Sequence, residues 1–147
     1  MSELLQFELT LPMAPEVELV AASAIEPIAM RTGFDENAMM QIRQAVIEAC
    51  TNAIEHSDSP DRRVYLTFVA DEDKLLVVVR DFGKGFDPTK LDAPQIQEKL
   101  RRMHKRGWGL VIIKRFMDKV EVLDVSPGTE LRMTKYLTRG SAAPVSP

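Results

Sequence analysis

Val64-Tyr-Leu-Thr-Phe-Val-Ala70-Asp-Glu-Asp-Lys74-Leu-Leu-Val-Val-Val-Arg80-Asp81-Phe-Gly83 decides the fold class. Its two β-rich runs, Val64 to Ala70 and Leu75 to Arg80, flank the polar Asp71-Glu-Asp-Lys74, which is a hairpin signal. A connection this short can only join antiparallel strands. Leu4 to Leu11 alternates well enough for a strand before Pro12 and Pro15 break it, and Val120 to Val125 and Glu130 to Leu137 read as strands on either side of Pro127-Gly128. Glu16 to Arg31 reads as a helix that Pro27 is expected to kink or shorten, with Gly33 ending it. Asp35 is the expected N-cap of a second helix, Glu36 to His56, in which Met39, Ile42, Val46, Ala49, Cys50 and Ala53 recur at helical spacing. A third helix is expected over Leu110 to Met117. Strands that come singly and in hairpins, with helices grouped between them, predict an α+β fold. The expected form is a two-layer α/β sandwich, a mixed or antiparallel sheet with helices on one face, rather than a doubly wound parallel sheet.

With 147 residues the chain is expected to form one domain over residues 1–138, followed by a disordered tail over 139–147 rich in Ser, Ala and Pro. Nineteen basic residues against twenty-two acidic ones, a net charge of -3, argue against direct nucleic-acid binding. A single cysteine, Cys50, cannot form an internal disulfide, and a cytoplasmic setting is the expectation. Met1-Ser-Glu-Leu-Leu-Gln is unlike a signal peptide, and no apolar run approaches membrane-spanning length, so no membrane partner is expected.

Three separated stretches carry the chemistry. The first is Glu48-Ala-Cys-Thr-Asn52-Ala-Ile-Glu-His56. At about 100° per residue, Glu48 and Asn52 stand about 40° apart, with Gln41 and Glu55 on the same side and the apolar positions opposite. That ribbon is either a solvated face or a general base paired with a hard oxygen ligand for Mg²⁺. His56 reads as a packing or capping residue. The second stretch is Asp81-Phe-Gly83-Lys-Gly85. Asp81 ends an apolar strand and serves either as a turn-former or as an acceptor for the exocyclic amine of adenine, with glycines that let a flat base approach. The third is Arg106-Gly107-Trp108-Gly109-Leu110, a glycine turn opening a helix, where backbone N–H groups can face phosphates. Lys99, Arg101, Arg102, Lys105 and Arg106 precede it, as a solvated loop or as a lid over phosphates or a partner. Ile112 stands where a dinucleotide fingerprint needs its third glycine, there is no Walker sequence, and the chain is too short for the kinase fold that Asp81-Phe-Gly83 otherwise suggests.

Together these stretches resemble the N, G1 and G2 boxes of the GHKL ATP-binding superfamily. Within it, the E-A-x-x-N-A-x-x-H form is similar to the stand-alone anti-sigma factor serine/threonine kinases of bacteria, the RsbW/SpoIIAB type, from about Leu4 to Leu137. The resemblance implies a Bergerat fold, ATP and Mg²⁺ as cofactors, Glu48 as general base and Asn52 as metal ligand. It implies Asp81 as adenine acceptor assisted by Thr129 of the late Gly128-Thr129 element, with Gly83 and Gly85 shaping the base pocket. Gly107 and Gly109 would border the phosphates, beside Lys105, Arg106, Trp108 and Leu110, and Asp87 to Arg106 would form the lid. The implied reaction is phosphorylation of a STAS-domain anti-sigma factor antagonist by a kinase, commonly a homodimer, that otherwise holds a sigma factor or another target. An ATP-binding partner-switch module without significant kinase activity is the alternative. A histidine-kinase catalytic domain is disfavoured, because Gly33 and the prolines interrupt any upstream helix pair.

Overall fold

The computed structural model describes residues 4–56, 58–83, 108–125 and 127–138; for His56, Trp108, Gly109 and Asp124 it describes the backbone alone. The elements are β1 (Leu5–Pro12), α1 (Val17–Thr32), α2 (Glu36–His56), β2 (Arg63–Ala70), β3 (Lys74–Asp81), α3 (Trp108–Phe116), β4 (Lys119–Asp124) and β5 (Thr129–Tyr136). The strands form one five-stranded sheet in the order β1-β2-β3-β5-β4. Every neighbouring pair is antiparallel, which narrows the expected mixed or antiparallel sheet to the second kind.

Local chemistry accounts for the joints. Asp71 Oδ1 accepts the N–H groups of Asp73 and Lys74 at 2.7 and 2.9 Å, an Asx turn that closes the β2–β3 hairpin. Asp35 caps α2 by accepting the Ala38 N–H at 2.8 Å. Gly33, at φ 109°, ends α1 and donates its N–H to the carbonyls of Ala29 and Met30. Pro27 does not shorten α1, which continues to Thr32. The carbonyl it leaves without a helical donor is that of Ser23, and both residues are exposed, so water can serve it.

Strict alternation in β2 and β3 buries Val64, Leu66, Phe68 and Ala70 against Leu75, Val77 and Val79. Ile25, Ile28, Ile42, Ala45, Val46, Ala49 and Ile113 from the helices close over this face to form the core. Burying so many aliphatic side chains, at roughly 1.5–3 kcal/mol each, is what opposes the entropy of ordering the chain.

Candidate nucleotide site

Chain direction brings the described parts of the three motif stretches to one end of the sandwich. β3 ends at Asp81 and β5 begins at Thr129, its partner in the register, so both lie at that end. β2 starts there too, because Tyr65 pairs with Arg80. The short loop from α2 to β2 therefore places the C-terminal end of α2 at the same end. A tight turn at Met117-Asp118 reverses α3 into β4, and β4 runs toward Asp124, opposite Thr129. α3 must then run the other way, so its N-terminus also faces that end. Helices α2 and α3 consequently lie antiparallel, with the N-terminus of one beside the C-terminal half of the other.

Their axial offset can be read from one side chain. Lys135 Nζ, at the far end of β5, donates to Gln41 Oε1 on α2 at 2.7 Å and to the Phe116 carbonyl at the end of α3 at 2.5 Å. Phe116 is therefore level with Gln41, and about 12 Å of helical rise separates it from Trp108. The same rise from Gln41 along α2 reaches Ala49. The first turn of α3 thus stands within about one turn of Glu48 and Asn52.

The polar ribbon of α2 is not a fully solvated face. Gln41, Gln44, Glu48 and Asn52 are all half-buried. Gln44 donates to Glu48 Oε1 at 2.9 Å, which holds one carboxylate oxygen and leaves the other for a reacting group. Sequence reasoning placed Gln41 beside Glu48 but missed Gln44 and Lys135. Periodicity reveals a shared face, whereas a contact across 94 residues has no local signature.

Asp81 is 7% exposed. Burial pushes its carboxyl above the ordinary carboxylate value, opposed by hydrogen bonds from the backbone N–H groups of Gly83 and Thr129 and by nearby Arg80. The Gly83 bond measures 2.9 Å and bends the chain out of β3. Gly128 sits against the same strand end at φ 102°, and a Cβ on it would lie 1.9 Å from the Asp81 carbonyl oxygen. Only glycine fits there, which gives Gly128-Thr129 a physical cause.

The opposite face of the sheet braces these turns. Arg80 donates to the Pro127 carbonyl at 3.2 Å, and its guanidinium lies 4.5 Å from the centroid of the Phe82 ring. Tyr65 meets Phe82 edge-on at 5.2 Å and donates to Asp61 at 2.6 Å.

Gly85, Lys105, Arg106 and Gly107, with the expected lid, lie outside the described residues; Trp108 and Gly109 are placed by backbone in the first turn of α3, and Leu110 is half-buried. Among the described residues no group of three His, Cys, Asp or Glu side chains could cage a metal. The half-buried Asn52 carboxamide offers a single hard oxygen. That donor set suits Mg²⁺, which keeps several waters and takes its other ligands from phosphates.

Comparison with known proteins agrees with this geometry. Residues 11–135 match the Histidine kinase-like ATPase domain family. Serine-protein kinase RsbW of Halalkalibacterium halodurans is 33% identical over 136 residues, covering 90% of this chain and 83% of its own. The protein of that name from Bacillus subtilis is 32% identical over 136 residues, covering 88% and 84%.

The chain belongs to the RsbW family of serine-protein kinases.

The RsbU and RsbW domains of Rv1364c from Mycobacterium tuberculosis share the fold at a TM-score of 0.65 and 16% identity, covering 89% of this chain and 32% of that one. A chain of the SiaB-SiaC complex from Pseudomonas aeruginosa does so at 0.53 and 11%, covering 89% of each. As an RsbW-family member the protein is a serine/threonine kinase, and its ATPase-type domain implies the use of ATP. No helix among the described residues is long and apolar enough to cross a membrane.

Proposed function

We propose that this RsbW-family kinase transfers the γ-phosphoryl group of Mg·ATP to a serine or threonine of a STAS-domain anti-sigma factor antagonist. Phosphorylation then frees the kinase to hold a sigma factor or another regulator in the cytoplasm. One observation carries the reading: the Glu48–Asn52 ribbon of α2, the N-terminus of α3 and the Asp81–Thr129 strand ends converge at one end of the sandwich.

In this reading Asp81 accepts from the adenine amine, with Thr129 beside it, and Gly83 and Gly85 admit the flat base. The N-terminal turn of α3, with Gly107, Trp108, Gly109 and Leu110, offers backbone N–H groups to the phosphates. Lys105 and Arg106 add positive charge next to them. Asn52 would hold Mg²⁺, which would supply positive charge at the phosphates. Glu48, fixed by Gln44, takes the proton as the antagonist hydroxyl attacks the γ-phosphorus, the bond to the β–γ bridging oxygen breaks and ADP leaves with that oxygen. The new phosphate then adds charge to an interface between the partners and weakens it. Self-association belongs to the same reading. The sheet face turned away from the helices carries Val69, Leu76 and Val78 at its centre, an apolar strip suited to a second copy.

The test is incubation with [γ-³²P]ATP, Mg²⁺ and a STAS protein encoded nearby, with light scattering on the same preparation to read self-association. Label should appear on the STAS protein and fall at least about a hundredfold in Glu48→Gln. Asn52→Ala should weaken binding of Mg·ATP in calorimetry. Absence of transfer to any cognate STAS protein would remove the antagonist as substrate, and an unchanged Glu48→Gln rate would remove Glu48 as base.

A further inference from the structure

Lys135 holds two acceptors on two different helices from a position on a third element. It faces the helices, since it pairs in register with buried Leu75 of β3. From there its ammonium reaches Gln41 Oε1 and the Phe116 carbonyl. The second acceptor is one of the last carbonyls of α3, which have no donor within the helix and carry the negative end of its dipole. A lysine satisfies both demands, and the Gln41 carbonyl oxygen orients it.

Other contacts at this corner tie the α3–β4 turn to β5 alone. Asp118 donates its N–H to the Thr134 carbonyl at 2.8 Å and accepts the Tyr136 N–H on its carboxylate at 2.7 Å. Neither bond reaches α2. Among the described hydrogen bonds, the Lys135 pair is the one that links α2, α3 and β5 together. Ala45 and Ala49 of α2 and Ile113 of α3 are buried in the same apolar core. Apolar contact is non-directional, whereas the Lys135 hydrogen bonds fix particular atoms of the two helices against each other.

We infer that Lys135 is a positioning residue: it sets the axial offset of α3 against α2, and so the distance from the phosphate-facing N-terminus of α3 to Glu48 and Asn52. This rests on the reading that the N-terminus of α3 meets the phosphates. Among the described residues the adenine end is built from Asp81, Gly83, Gly128 and Thr129, at the opposite end of the β3–β5 pair from Lys135, so the clamp should leave it unchanged.

That independence supplies the test. Lys135→Met keeps most of the apolar stem and removes the ammonium. Adenosine and ADP affinities are measured for wild type, Lys135→Met, Lys135→Arg and Gln41→Leu by competition against a fluorescent ADP analogue, well below each protein's melting temperature. ADP affinity should fall about tenfold in Lys135→Met while adenosine affinity stays within about twofold, the size expected for loss of an aligned helix terminus. Lys135→Arg should restore the ADP-to-adenosine ratio. Gln41→Leu, which leaves the Phe116 bond in place, should shift that ratio in the same direction by about threefold, and it decides the matter should Lys135→Met fail to fold. A wild-type ratio in folded Lys135→Met or in Gln41→Leu, or an equal loss for both ligands, overturns the inference. A wild-type protein that binds ADP no better than adenosine removes α3 from the phosphate site, and the clamp's role falls with it.

Discussion

Asp81 carries opposing demands on a single side chain. Two backbone N–H groups, from Gly83 and Thr129, point at it, and the proposed adenine amine is a third donor. Burial nevertheless raises its pKa. A carboxyl whose native pKa lies above the unfolded value contributes stability that is complete at low pH and is lost as pH rises through the native pKa. Asp81→Asn cannot ionise, so its stability relative to wild type should increase between pH 4 and pH 7. Urea titrations at the two pH values measure this, and an equal difference at both would show that Asp81 ionisation carries no native-state cost. The variant has one acceptor oxygen where the carboxylate has two, and its NH₂ would face a donor. ATP affinity should therefore fall at least about tenfold, even where the fold gains.

Among the elements, α1 shows what a proline inside a helix costs. A proline as its eleventh residue is expected to kink or shorten it, yet the helix runs from Val17 to Thr32, close to the expected Glu16 to Arg31. The penalty depends on where the orphaned carbonyl points, and that is a tertiary fact. Pro27→Ala should restore the bond to Ser23 and stabilise the protein by about 1–2 kcal/mol, the propensity gain less the unfolded-state entropy that proline removes. Thermal melts measure it, and a loss of stability would mean that the ring packs usefully. The hairpin, the α2 boundaries and the Asp35 cap were legible because their signals lie within a few residues. That Thr129 stands beside Asp81 was implied only by the family resemblance, since strand partners 48 positions apart leave no shared periodicity. Gly128 was visible only as a dipeptide. Its cause, a backbone contact with the end of β3, needed three dimensions.

At the scale of the whole molecule, the described residues form one layer of sheet and one layer of helix around an apolar core. Cys50 sits in that core on α2, two residues from both Glu48 and Asn52, and is 1% exposed. Burial, followed by the charge of Glu18, pushes its thiol up to about 12. The thiolate is the reactive form, so the native protein should resist alkylation at pH 8 while the urea-unfolded chain reacts fully. Rapid labelling of the native state would contradict the assigned burial. Because this chain has one cysteine, every alkylated molecule records one opening event of the helix that carries the proposed base and metal ligand. The thiol is thus a built-in stopwatch for the core. When closing outpaces alkylation, ATP at about a hundred times its Kd should slow that clock about a hundredfold, by mass action alone. Nucleotide binding becomes readable by mass spectrometry of the alkylated thiol, without a partner or turnover.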